Sequence, residues 1–467
     1  MSARRQRVVV LGGGPGGYEA ALVAAQLGAE VTVVERDGLG GACVLTDCVP
    51  SKALIATADA RMRYVEQVGA ASGTTAGSSD LAEVNSEIRS LASAQSSDIS
   101  ARLARDGVTV VQGRGRLAAE HASDRPLTVE VDPGGNGWDE RLDADVVLVA
   151  TGATPRLMAA AQPDAERILT WQQIYDLPQL PERLVVVGSG VTGAELAHGY
   201  LGLGAQVTLV SSRDRVLPGE DADAAQVVED VFRRRGMEVL SRSRAAAVRR
   251  TGDGIVVALE DGREVEGSHC LLAVGSVPNT AGVGLEEAGV ELTASGHIEV
   301  DRVSRTAARG IYAAGDCTGV LPLASVAAMQ GRIAMWHALG DAVSPINLKA
   351  VAANIFTDPE IATVGYSQKE IDAGQMAAKT IMLPLATNAR AKMEHLEDGF
   401  VKLFARPGTG IVVGGVVVAP KASELIFPVA LAVQQRLTVD QVASAFTIYP
   451  SLSGSVAEAA RRLHVRA

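Results

Sequence analysis

Val8-Val9-Val10-Leu11-Gly12-Gly13-Gly14-Pro15-Gly16-Gly17 decides how the chain is read. A β-branched run ends in clustered glycines and an Ala/Leu-rich helical pattern follows through residue 27, which predicts strand, tight turn and helix. Leu184-Val185-Val186-Val187-Gly188-Ser189-Gly190-Val191-Thr192-Gly193 repeats the arrangement, with a helical run over 194–203. In each copy a second β-branched run (31–34; 207–210) closes a βαβ unit. Its end, Glu35 or Ser211, falls the same number of positions after the first glycine, Gly12 or Gly188. Gly12 permits the turn, Gly14 lets backbone approach a pyrophosphate, and Gly17 allows close helix–strand contact, while the helix start offers unpaired N–H groups. Glu35 stands where a carboxylate accepts hydrogen bonds from a ribose diol. In the second copy Ser211 replaces the acid and Arg213 and Arg215 follow, so a ribose 2′-phosphate meets guanidinium groups instead of a repelling charge.

Outward from these turns, the stretch from about 51 to 105 reads as helical with a loop at 73–80. Apolar strands at 146–149 and 270–274 run into Thr151-Gly152 and Gly275, and a third, near 311–314, ends at Gly315-Asp316. From about 348 the pattern turns to alternating strands (401–404, 411–418) with helices around 423–435 and 439–446. The fold class predicted is α/β, with two Rossmann-like dinucleotide-binding domains and a C-terminal α+β domain. The chain's 467 residues accommodate about three domains at roughly 100–200 residues each. Lys and Arg number 43 against 54 Asp and Glu, a net charge of −11 without a basic block, which argues against a nucleic-acid partner. No run approaches the ~18 apolar residues of a spanning helix, and a soluble, cytoplasmic protein is expected. Among the four cysteines, Cys43 and Cys48 form a close pair that points to redox chemistry; with no histidine beside them, a zinc site is the poorer choice and no metal is expected.

Two dinucleotide turns plus that pair resemble the pyridine nucleotide–disulfide oxidoreductases, the lipoamide dehydrogenase and glutathione reductase family, over nearly the whole chain. Gly40-Gly41-Ala42-Cys43-Val44-Leu45-Thr46-Asp47-Cys48-Val49-Pro50-Ser51-Lys52 resembles the redox-active disulfide segment, and Ile311-Tyr312-Ala313-Ala314-Gly315-Asp316 the second FAD motif. Phe356-Thr357-Asp358-Pro359-Glu360-Ile361-Ala362 with Val364-Gly365 resembles the start of the dimerisation domain. The resemblance implies an FAD domain in two parts, 1–155 and 281–347, an NAD(P)H domain at 156–280, and a dimerisation domain at 348–467 of a homodimer. FAD would be held by Gly12, Gly14, Pro15, Gly17, Glu35 and Arg36, with Gly41, Ala42, Thr151 and Gly152 around it and Gly315-Asp316 at the ribityl chain. NADPH or NADH would be held by Gly188, Gly190, Gly193, Ser211, Arg213 and Gly275. Cys43, Cys48 and Lys52 would carry the chemistry, Lys52 near flavin N5 and paired with Glu195.

The departures matter as much. The family's disulfide reductases use a His-Pro pair near the C-terminus, with a Glu five residues after the His, as the base that activates a thiol. Here Thr447-Ile448-Tyr449-Pro450-Ser451-Leu452-Ser453-Gly454 puts Tyr449 and Gly454 in those places. Phenols titrate near pH ~10 and accept a thiol proton poorly at neutral pH. Asp47 beside Cys48 disfavours a thiolate, and Val191 replaces an aromatic that covers the nicotinamide side in many relatives. The pattern is most similar to the lipoamide-dehydrogenase-like NAD(P)H quinone reductases of bacteria. The expected activity is hydride transfer from NAD(P)H through flavin N5 to quinones or similar diffusible acceptors. The alternatives are a dihydrolipoamide dehydrogenase-type dithiol–disulfide reductase and a non-catalytic flavin redox sensor.

Overall fold

The computed structural model describes residues 4–72, 80–118, 126–135 and 137–464, with backbone only for 66–72. The loop expected at 73–80 lies almost wholly outside the described residues. The flanking helical stretch is two helices, Cys48–Ser72 and Leu81–Arg105. The chain divides into two compact units. The first comprises Met1–Ala53, Glu83–Arg156 and Gly275–Ile346, the second Leu54–Ala82, Leu157–Val274 and Asn347–Ala467.

The first unit is built on a parallel sheet ordered Ile311–Ala313, Val146–Val149, Arg7–Leu11, Glu30–Glu35, Thr109–Gln112. Its central strands are β-branched and buried on both faces, as a parallel sheet between layers requires. Val8 and Val10 pack with Ala20, Ala24 and Met335 on the helical side, and Val9 and Leu11 with Val129 and Val131 on the other. Helices Pro15–Gln26 and Ala324–Ala338 meet so closely that a Cβ on Gly331 would lie 2.1 Å from the Gly16 carbonyl oxygen. The opposite face is covered by an antiparallel sheet of Arg114–Leu117, Leu127–Asp132 and Glu140–Ala144.

The second unit repeats the parallel arrangement in the order Glu238–Leu240, Gln206–Val210, Arg183–Val187, His269–Leu272, Ile168–Thr170. It adds an antiparallel meander, Ala245–Thr251, Gly254–Leu259 and Glu264–Gly267. Its last part is an antiparallel sheet ordered Ala352–Ile355, Glu360–Gly365, Val412–Ala419, Phe400–Ala405, Lys379–Pro384, packed against helices Phe427–Gln435 and Gly454–Arg462. Helix Ala222–Arg234 is tied to that sheet at both ends. Lys402 Nζ lies 2.8 Å from both carboxylate oxygens of Asp221, the helix N-cap, and 2.6 Å from Asp223. Arg235, the C-cap, binds the Asp358 carboxylate at 2.7 Å and its carbonyl at 2.9 Å. Among the described residues no helix is long and apolar enough to cross a membrane.

Candidate active site

The first glycine turn is shaped by three different constraints. Gly12 has φ of 102°, and a Cβ there would lie 2.3 Å from the Ala150 carbonyl oxygen. A Cβ on Gly17 would sit 1.9 Å from the Gly12 oxygen, so this glycine sets the helix–strand distance. Gly14 has an ordinary φ of −68° and no atom within 4 Å of its missing Cβ. The fold does not need a glycine there; an incoming group does. Pro15 opens the helix, and Gly41, with φ of 56°, backs Gly14, a Cβ on it falling 2.9 Å from the Gly14 Cα. Ala42, next in helix Gly41–Leu45, is exposed.

Glu35 does more than the sequence indicated. Its carboxylate is buried, Oε2 accepting the Gly13 N–H at 2.5 Å and Oε1 those of Asp37 and Gly38 at 2.6 and 3.1 Å. With about four acceptor positions on a carboxylate, roughly one remains for a ribose hydroxyl, so Glu35 is first the brace of its own loop. Arg36 is exposed and forks onto Asp37 at 2.8 and 2.6 Å.

Thr151 and Gly152 follow the strand Val146–Val149 at the same sheet edge. Thr151 Oγ1 is buried without a hydrogen-bond partner, and Gly152, with φ of 69°, faces open space. Asn279 braces the pair, its side chain donating to the Thr151 carbonyl at 2.9 Å and its backbone N–H to that of Gly152 at 3.0 Å. Gly315, with φ of 83°, donates its N–H to Gln330 Oε1 at 2.9 Å and presents Asp316 at the start of a 3₁₀ turn. Burial raises the Asp316 carboxyl above the usual range, partly offset by His297. Neither Asn279 nor Gln330 was expected from sequence; each acts only through backbone that another motif marks. Gly275, with φ of 97°, accepts the Arg156 N–H at 2.9 Å where the chain re-enters the first unit.

Helices Gly41–Leu45 and Cys48–Ser72 put the two cysteines side by side, both as free thiols. They share a hydrogen bond: Cys48 donates to Cys43, which lowers the Cys43 pKa and raises that of Cys48. Asp47 pushes both thiols up, as its position predicts, and Lys52 pulls both down. At Cys43 the bond from Cys48 outweighs burial and Asp47, so the unfavourable effect expected of Asp47 is overcome at one thiol and not at the other. Thr46, between the cysteines, also has a buried hydroxyl without a partner. An open cradle over Gly14 and Gly152, two buried hydroxyls without partners and a half-buried Asp316 fit a flavin dinucleotide. Among the described residues no three His, Cys, Asp or Glu side chains are grouped to hold a metal.

In the second unit the backbone of the turn is the same. Gly188 has φ of 113° with its missing Cβ 2.2 Å from the Ala273 oxygen, a Cβ on Gly193 would meet the Gly188 oxygen at 1.9 Å, and Gly190 faces open space. Val191 begins the helix half-exposed. Ser211 requires a correction. It is fully buried, its hydroxyl 2.7 Å from that of Ser189 and within 3.4 Å of the Arg213 and Arg215 carbonyls. It therefore shapes the loop and has no free face for a phosphate, whereas Arg213 is exposed. Glu195 is buried on the same helix as Val191, and its Oε1 accepts the Phe356 N–H at 2.9 Å. Lys52, in the first unit, donates to Ser51 Oγ at 3.3 Å. Tyr449 is 85% exposed beside Ile448 and Phe446, and Gly454 starts the last long helix. His464 Nδ1 lies 2.6 Å from Asp440 Oδ1.

Comparison with known proteins agrees with this geometry. Residues 6–331 match the family described as pyridine nucleotide-disulphide oxidoreductase, and residues 351–460 its dimerisation domain. An NAD(P)H dehydrogenase (quinone) of Mycobacterium tuberculosis is 57% identical over 462 residues, spanning 98% of this chain and 94% of the relative. A dihydrolipoyl dehydrogenase 2 of Haloarcula marismortui is 35% identical over 460 residues, 97% of this chain and 95% of that one. The crystal structure of LpdA from Mycobacterium tuberculosis matches with a TM-score of 0.94 at 56% identity, covering 98% of this chain and all (100%) of the other.

Proposed function

The chain belongs to the pyridine nucleotide-disulphide oxidoreductases and is an FAD-dependent enzyme that oxidises NAD(P)H, and from that premise we propose that it passes the electrons to quinones or similar diffusible acceptors. The observation that carries the proposal is Tyr449: an exposed phenol, flanked by Ile448 and Phe446, holds the place of the thiol-activating histidine, and Gly454 holds that of its carboxylate partner. The quinone named in the Mycobacterium tuberculosis relative supports the same acceptor class. We assign FAD to residues 1–155 with 281–347, NAD(P)H to 156–280, and a homodimer interface to 348–467, acting in the cytoplasm.

Bound FAD would accept hydride from the nicotinamide and return two electrons to an acceptor. Gly14 and Gly152 leave room for it to approach the protein backbone, and the N-terminus of helix Pro15–Gln26 supplies positive potential for the pyrophosphate. Glu35 holds the loop that shapes the adenosine end, and the Thr46 and Thr151 hydroxyls offer hydrogen bonds that the protein leaves unmade. Lys52 places an ammonium by the thiols and favours negative charge developing there. Glu195, fixed by Phe356, keeps one carboxylate buried behind the second turn.

A second reading has its own observation, the hydrogen bond between Cys43 and Cys48, which holds one thiol as the better nucleophile. NADPH oxidation measured with menadione and with lipoamide on one preparation separates the two. Rapid menadione turnover with negligible lipoamide reduction is expected, and Cys48→Ser is expected to keep menadione activity within a few-fold. Brisk lipoamide reduction, or loss of several orders of magnitude in Cys48→Ser, would replace direct transfer with dithiol exchange.

A further inference from the structure

The sequence placed recognition of the nucleotide's adenosine end in one loop, 211–215. The sheet order brings a second loop to it. Strands Gln206–Val210 and Glu238–Leu240 are parallel neighbours, so the segments leaving their C-terminal ends emerge together, at the edge where doubly wound sheets bind ligands. The two loops are stitched by backbone hydrogen bonds: Ser211 N to Leu240 O at 2.9 Å, Ser243 N to Ser211 O at 2.7 Å and Arg242 N to Arg213 O at 2.6 Å. Arg242 and Arg213 are thus adjacent although 29 positions apart in sequence.

Three features distinguish this pair. Both side chains are exposed. Arg242 has φ of 53°, in the left-handed region that non-glycine residues enter at a cost. Most arginines around them are matched to carboxylates: Arg233 with Glu229, Arg244 with Glu260, Arg249 with Glu264, Arg250 with Glu166 and Arg263 with Asp261. Arg213 and Arg242 have no ion pair among the described residues, and Asp214, the acid beside Arg213, pairs with neither. Arg215, the other arginine of the first loop, has its Nε buried.

We infer that Arg213 and Arg242 form a two-loop clamp for the 2′-phosphate of NADPH, with Arg242 taking the place that sequence gave to Ser211 and Arg215. The inference rests on the reading that the second glycine turn binds NAD(P)H. A phosphate dianion between two guanidinium forks forms charge-assisted hydrogen bonds to both, and Ser211, turned inward, puts no acid at the strand end where Glu35 stands in the first unit.

The test is calorimetric binding of 2′,5′-ADP and 5′-ADP to the FAD-loaded protein, alongside kcat/KM for NADPH and NADH, in wild type, Arg242→Asn and Arg213→Gln. Asparagine tolerates the positive φ, so folding is preserved. Either substitution is expected to weaken 2′,5′-ADP at least tenfold relative to 5′-ADP and to lower the NADPH-to-NADH ratio of kcat/KM by a similar factor. Unchanged ratios in Arg242→Asn, or equal losses for both nucleotides, would overturn the clamp. A wild type that oxidises NADH but does not bind 2′,5′-ADP would overturn the clamp and leave the nucleotide site standing. A wild type that oxidises neither nucleotide would overturn the reading beneath it.

Discussion

One methyl group placed at Gly14 or at Gly17 should damage this protein in opposite ways. At Gly17 an added Cβ lies 1.9 Å from the Gly12 carbonyl oxygen and 3.0 Å from its carbon. Ordinary contact begins near ~3.4 Å, so helix Pro15–Gln26 would have to withdraw by about 1.5 Å from strand Arg7–Leu11, and overpacking of that kind costs about 1–3 kcal/mol. At Gly14 the added Cβ meets nothing within 4 Å, and the backbone, at φ −68° and ψ −176°, is one any residue adopts. Gly14→Ala should leave the apoprotein as stable as wild type or raise it by ~0.4–1 kcal/mol through the unfolded chain. The same methyl stands where the cofactor pyrophosphate must come closest, so FAD affinity should fall at least tenfold, about 1.4 kcal/mol. Thermal unfolding of both variants, stripped of flavin and again after reconstitution with measured flavin uptake, separates the effects. Gly17→Ala should melt early without flavin; Gly14→Ala should melt normally and fail to take it up. A Gly14→Ala protein that binds FAD like wild type would refute the assignment of that cradle, and a normally melting Gly17→Ala apoprotein would refute the close helix–strand contact.

Two further outcomes follow from groups outside the site. Removing Lys402 by substitution with Met strands the Asp221 carboxylate, whose side chain is 3% exposed, and should cost about 3–5 kcal/mol; adding Asp221→Asn should recover most of it, and denaturant midpoints showing no such recovery would contradict the pairing. His269 is held neutral, its pKa lowered to about 4 by burial and then by the Arg167 charge. Because the unfolded chain takes up that proton near pH ~6.5, the stabilisation is complete above that pH and is lost on acidification toward pH 4, on the order of 1–3 kcal/mol. His269→Gln should flatten this part of the stability profile, and identical slopes for both proteins would count against it.

What could be read from sequence was whatever the backbone itself enforces. Gly12, Gly17, Gly188 and Gly193 are fixed by carbonyl oxygens 1.9–2.3 Å from their missing Cβ atoms, and such constraints leave glycine at constant spacing whatever surrounds them. Side-chain partnerships across long sequence distances left no such trace. Lys402 lies in a strand whose residues are all buried, and its partner Asp221 is 181 positions away. Helix Ala324–Ala338 buries Gln330 and Gly331 on the same face as Val326, Ala327, Ile333 and Ala334 and leaves Met329 exposed, so no clean apolar stripe marks it. The strands Arg114–Leu117 and Glu140–Ala144 carry charges on partly exposed edges and do not alternate cleanly. Ser211 was misread because residue type alone does not tell which way a hydroxyl faces; Ser189, one turn of the motif away, decides it.

That serine pair also bears on how the two halves could have diverged from one ancestral repeat. In the first half a small residue at the middle of the turn, Gly13, makes room for a long acid, Glu35, to reach its N–H; in the second, two short hydroxyls, Ser189 and Ser211, fill the same volume. A Cβ on Gly13 would already press on Glu35 Oε2 at 3.1 Å, so the two positions are epistatic. A mutant carrying Glu at 211 while Ser189 remains crowds a carboxylate against a hydroxyl, and one carrying Ser at 35 beside Gly13 leaves a void and an unbound N–H.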